Sequence, residues 1–194
     1  MEMFKEPDWD AAEALLIEDG HRAIENFSAT HASELCSTFA FGVDYSFGDV
    51  MICFDTSDNS LLHAKRHEAR TLKAWDAMLG TEKSWENAQY YIQRDRLCSS
   101  NPHTADFKYP NFGRLHFPDW EGYFGNDQLP EYPDPFGHII VLMQKAVSKL
   151  VAARSFDQLV VSSPFRVGVE FPREDLGLVI MKFLNWPSHH GPRV

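Results

Sequence analysis

The sequence predicts an α+β fold: one domain over residues 1–194, with a small mixed or antiparallel sheet built on a central hairpin and covered by several helices. Three observations carry that expectation. Phe39, Phe41 and Val43 alternate with Thr38, Ala40 and Gly42, while Val50, Ile52 and Phe54 alternate with Met51, Cys53 and Asp55. Phe136, Ile139, Ile140, Met143, Val147, Leu150 and Val151 recur at helical spacing. Phe165, Val167, Val169 and Phe171 return to period two late in the chain. Period two reads as strand and period 3.6 as amphipathic helix. Hydrophobic residues make up 44% of the 194, enough for a chain of this length to bury a core without staples.

Taken in order, Pro7-Asp8-Trp9 opens the first helix, with Asp8 as its cap and acids in the first turns, as the helix dipole favours. Leu16, Gly20, Ala23 and Phe27 form its stripe, widened by Ile17 and Ile24, over about Ala11–Phe27. Gly20 weakens the middle, where a kink or break is expected. The strands Ser37–Val43 and Val50–Phe54 follow, joined by the turn-prone linker Asp44–Asp49 with Gly48. One face of this hairpin is bulky and apolar and needs a helical layer; the other is small or semi-polar. Cys36 and Cys53 are expected to approach each other if the hairpin forms.

Ser57-Asp58-Asn59 offers caps for a long charged helix over Ser60–Leu79, stopped at Gly80, and a second start at Thr81–Ser84 carries Trp85, Ala88 and Ile92. Asn101-Pro102 then breaks helix, and the residues up to Asp134 read as irregular, with a short strand conceivable at Arg114–Phe117. Seven aromatics crowd Phe107–Phe124; they either pin this segment to the core or form a binding surface. Asp134-Pro135 starts the helix Phe136–Ala153. Asp175–Asn185 has helical spacing in Leu176, Val179, Ile180 and Phe183, with a strand as the alternative. The tail 186–194 is expected to be flexible.

The chain carries 28 acids against 18 bases, a formal charge of −10. That opposes direct nucleic-acid binding, which needs phosphate-neutralising cations, and suits a basic partner or simple solubility. The longest apolar run, Ile139–Met143, is too short to span a bilayer, and Met1–Gly20 has no basic start or apolar core of a signal peptide. Three cysteines without metal spacing read as free thiols in a reducing cytosol. No nucleophile elbow, phosphate loop or dinucleotide fingerprint is present. His63 and His67 share a helix face, yet Lys65, Arg66 and Arg70 place positive charge where a metal would sit. Both are therefore expected to be exposed and metal-free. His189-His190 reads as tail, and Cys98 lacks the neighbours of an activated thiol.

The ordered features also carry a resemblance. An acidic first helix leads into Thr38-Phe-Ala-Phe-Gly-Val43 and Gly48-Asp-Val-Met-Ile-Cys-Phe54. Charged helices with spaced tryptophans come next, then Asn101-Pro-His-Thr-Ala-Asp-Phe-Lys-Tyr109, an aromatic segment ending in Asp119-Trp120, a long helix and a late strand. Over most of Ala11–Phe171 this resembles a bacterial family of small acidic proteins of unknown function found among polymorphic-toxin immunity genes. The resemblance implies a cytosolic α+β protein that binds and neutralises a cognate toxin, with no catalytic residues or cofactor to carry over.

On that reading the partner is a toxin with a basic cleft, and the chain is a monomer or homodimer that meets neither membrane nor nucleic acid directly. The expected binding segment joins acids to large aromatics: Asp119, Trp120, Glu121, Tyr123, Asp127, Glu131, Tyr132 and Asp134. From His116 to Gln144 there is no Lys or Arg to oppose its field. Glu13, Glu18 and Asp19 on the first helix are the competing site. The alternatives are a small metal- or carboxylate-dependent enzyme using His63, His67 and the acids, and an oligomeric scaffold whose aromatic segment is an interface.

Overall fold

A computed structural model describes residues 6–78, 103–124, 135–170 and 178–184. Helix α1, Trp9–Thr30, starts where Asp8 Oδ1 accepts the Ala11 N–H at 2.9 Å, leaving one fewer orphaned donor. Strands β1, Cys36–Asp44, and β2, Asp49–Thr56, form the expected hairpin across a 3₁₀ turn at Tyr45–Phe47. Helix α2 runs Ser57–Met78. After a 3₁₀ turn at Thr104–Asp106 come β3, Tyr109–His116, and α3, Pro118–Phe124. Helix α4, Pro135–Ala152, leads to β4, Val161–Glu170, and β5 is Leu178–Leu184.

The strands form one sheet in the order β3-β2-β1-β4-β5. Three pairings are antiparallel, and β1 with β4 is parallel. Parallel strands need a long crossover, and the chain from β2 through α4 supplies it. The three strands expected to share a sheet do share one, with β1 at its centre.

The bulky face of that sheet meets α1 and α4. Phe39, Phe41 and Phe54 are fully buried there beside Leu16, Ile24 and Phe27 of α1 and Ile139, Met143 and Leu150 of α4. Each such side chain contributes roughly 1.5–3 kcal/mol of burial free energy. Helix α1 runs unbroken through Gly20, contrary to the expected weak point. A Cβ there would sit 2.9 Å from Leu150 Cδ1 and 3.2 Å from Phe41 Cζ, so the missing side chain lets α1 approach α4 and the sheet closely.

Three expectations need correction. The stretch read as irregular contains β3 and α3, and β3 begins at Tyr109, well ahead of Arg114. Residues 178–184 form a strand, not a helix: Leu178, Val179 and Ile180 pair with Glu170, Val169 and Gly168, and a nearly continuous apolar run this short satisfies both helical and strand spacing. Cys36 and Cys53 are both buried and free but lie in separate clusters, Cys36 with the main core and Cys53 with Ala40 and Phe107. The second helix of the expected pair, Cys98 and the tail lie outside the described residues.

Candidate functional site

The expected binding segment divides in two. Asp119, Trp120, Glu121 and Tyr123 sit on α3, a helix where loop was expected. Asp127, Glu131, Tyr132 and Asp134 lie outside the described residues. Trp120 is only 1% exposed. It stacks on Phe117 at 4.3 Å between ring centroids and tilts against Trp9 at 5.9 Å. Tyr123 is half-buried, edge-on to Trp9. Trp120 is therefore a core residue and not a surface anchor, and the aromatics here pin α3 to α1. Of the four described residues of the segment, Asp119 and Glu121 are exposed.

The competing acids of α1 are locally neutralised. Glu18 and Asp19 both bond Arg22, at 2.7 and 2.6 Å, and Glu13 is mostly covered and paired with Lys149 of α4 at 2.5 Å. Glu13 thus faces a neighbouring helix and not open solvent.

A different arrangement appears where the hairpin turn meets β3 and α3. Gly48 takes φ +64°, and a Cβ there would meet the Phe117 carbonyl oxygen at 2.3 Å. Only glycine gives both the left-handed turn and that close approach. The Phe117 N–H donates to the Gly48 carbonyl at 2.7 Å, which fixes the start of α3 against the turn. Between these elements lies a groove of about 630 Å³, lined by Asp44, Phe47, Asp49, Met51, Arg114, His116 and Glu121 beside Asn111.

Register explains its contents. Asp49 pairs with Asp44 across the hairpin and with His116 across β3, and Met51 pairs with Arg114. Asp49 is 6% exposed. Its carboxylate accepts from Arg114 Nη2 and lies 3.1 Å from His116 Nδ1. The Arg114 bond, with help from His116, holds the Asp49 carboxyl below its usual range. Asp44 and Glu121 add two more carboxylates, and Phe47 projects at the rim with 61% of its surface exposed.

The sheet face opposite α1 and α4 carries a second polar group of residues beneath the segment 103–108. Glu170 Oε2 accepts from the Thr104 backbone N–H at 2.8 Å and from the Thr104 hydroxyl, while His103 Nδ1 lies 3.2 Å from Glu170 Oε1. Burial raises the Glu170 carboxyl, but these bonds outweigh it and leave the group below its usual value. Cys53 donates to the Pro110 carbonyl at 2.8 Å, and burial pushes its thiol up to about 12. Burial raises the Cys36 thiol as well. Neither thiol has the thiolate character of a nucleophile.

His63 is half-buried rather than exposed, with Nδ1 3.9 Å from Asp106 Oδ2. The side chain of His67 lies outside the described residues. Among the described residues no three of His, Cys, Asp and Glu converge as metal ligands, and no helix is long and apolar enough to cross a membrane.

Sequence reasoning missed Asp44, Phe47, Asp49, Arg114 and His116. Two acids bracketing a turn with an exposed Phe between them were the available signal, but Arg114 and His116 reach the site only through β3. No family model, curated protein or solved structure matches the chain.

Proposed function

We propose that this protein is a binding protein of the immunity type, which neutralises a basic toxin by engaging it through the groove at the hairpin end. The observation that carries this reading is the combination of two carboxylates, Asp44 and Glu121, with the exposed ring of Phe47 around one concave surface whose floor includes the Arg114-bonded Asp49. Asp44 and Asp49 stand directly opposite each other, and Arg114 and His116 engage Asp49, so Asp44 and Glu121 are the carboxylates offered to a partner.

The net charge of −10 steers a cationic partner toward the molecule, and the groove gives that attraction a place to dock. Phe47 takes the anchor role that Trp120, being buried, does not have. Asp127, Glu131, Tyr132 and Asp134, which lie outside the described residues, stay in the proposal on the sequence alone.

The test is growth protection when the chain is coexpressed with each polypeptide encoded by the neighbouring genes, a basic one being the expected target. Phe47→Ala is expected to weaken binding by ~2 kcal/mol or more, as anchors do, with an unchanged melting temperature. Protection and affinity equal to wild type in Phe47→Ala, Asp44→Lys and Glu121→Lys would move the site elsewhere.

A further inference from the structure

The sheet face away from α1 and α4 holds a polar row that the groove does not use. Thr38 on β1 stands directly opposite Asp55 on β2 and opposite Arg166 on β4. Thr38 and Asp55 have 0% exposure, and Arg166 is buried with Nη2 donating to Ser60 Oγ at 2.9 Å. The first turn of α2 lies against this row. Asn59 Nδ2 donates to Asp55 Oδ1 at 2.7 Å, and the Lys108 N–H donates to the same oxygen at 3.2 Å. Asn59 Nδ2 also reaches the Asp106 carbonyl at 2.9 Å, so Asp55 helps tie α2 to the segment 103–108.

The bonds to the Asp55 side chain named above all end on Oδ1. Asp55 Oδ2 and Thr38 Oγ1 are buried and have no hydrogen-bond partner among the described residues. They sit on directly opposed residues and do not bond each other. A buried oxygen left in that condition carries its full desolvation cost, and folded proteins meet such pairs with internal water.

We infer that one buried water bridges Asp55 Oδ2 and Thr38 Oγ1. The charges of the row select this occupant. A metal cation is opposed by the Arg166 guanidinium, an anion by Asp55, and an apolar group leaves both oxygens unbonded. Water donates and accepts at once, so it serves Asp55 in either protonation state while the Thr38 hydroxyl turns to match. Arg166, next in register, is the third polar group of the row. The water joins β1 to β2 beneath α2 and keeps Asp55 oriented toward Asn59.

A crystal structure of the full chain tests this directly. Density for one water within about 3.2 Å of both oxygens is expected. Water-¹⁷O relaxation dispersion is expected to count one fewer long-lived internal water in Thr38→Val than in wild type, and the same number in Thr38→Ser. A direct protein partner on Asp55 Oδ2, or no density between the two oxygens, would overturn the inference. An unchanged water count in folded Thr38→Val would do the same. If Thr38→Val fails to fold, the wild-type density decides alone.

Discussion

Asp49 lies almost wholly covered, while Arg114 and His116, the groups that cover it, keep 67% and 54% of their side-chain surfaces in solvent. The carboxylate is thus fixed, and its partners Arg114 and His116 are peripheral. Because the Asp49 carboxyl is held below its unfolded value, chiefly by the Arg114 bond, its contribution to stability is present above the ordinary carboxylate range. It is lost as pH falls through the folded value. The urea midpoint of wild type is expected to drop below about pH 4, and Asp49→Asn is expected to flatten that acid limb. An identical acid limb in the variant would show that Asp49 is not linked to folding.

Asp55 runs the other way. Burial raises its carboxyl, so its contribution is fully present below the unfolded value and lost as pH rises through the folded one. Trp120 gives the sharpest single-residue contrast between packing and binding. Trp120→Ala is expected to cost ~3–5 kcal/mol of stability, as loss of a buried aromatic does. A chemical-denaturation midpoint equal to wild type would return Trp120 to the surface role first expected of it.

At the scale of elements, the hairpin was legible because its residues keep strict alternation and one buried face. Phe39, Phe41 and Val43 announce that face without any long-range information. β3 was hidden for a physical reason. It is an edge strand of mixed exposure, with Pro110 and Gly113 inside it, and edge strands tolerate residues that interior strands exclude. The segment 178–184 is apolar except for Lys182, so its spacing fits a helix as well as a strand. The groove was illegible for another reason: Asp44 and Asp49 read as ordinary turn acids until β3 brings Arg114 and His116 beside them.

The junction of turn and α3 depends on Gly48. Gly48→Ala forces a left-handed residue and a clash with the Phe117 carbonyl, expected to cost about 1–3 kcal/mol. It should also detach α3 from the turn and weaken partner binding. Circular dichroism melts and affinity measured on the same sample check both parts. A wild-type melt for Gly48→Ala would contradict the assigned junction.

At the scale of the whole molecule, α1 and α4 cover one face of the sheet, and the polar face keeps its chemistry near α2, the segment 103–108 and the hairpin end. Most of the acids on α1 that the charge pattern highlighted are tied to Arg22 or Lys149, so overall charge alone does not locate a binding surface. The groove differs because its carboxylates exceed its cations and because Phe47 stands open beside them. Long-range attraction from a charge of −10 is screened by salt over roughly a Debye length, about 10 Å at 0.1 M. Rates of encounter are therefore more sensitive to ionic strength than rates of release.

The most direct measurement is stopped-flow association, at low and high salt, of the chain with a basic toxin against which it protects on coexpression. Wild type is compared with the Asp44→Lys/Glu121→Lys double variant. The expected result is fast, strongly salt-dependent association for wild type, and slower association with a weaker salt dependence for the variant, both proteins melting alike. Equal rates and equal salt dependence in the two proteins, or no binding by wild type at all, would contradict the account.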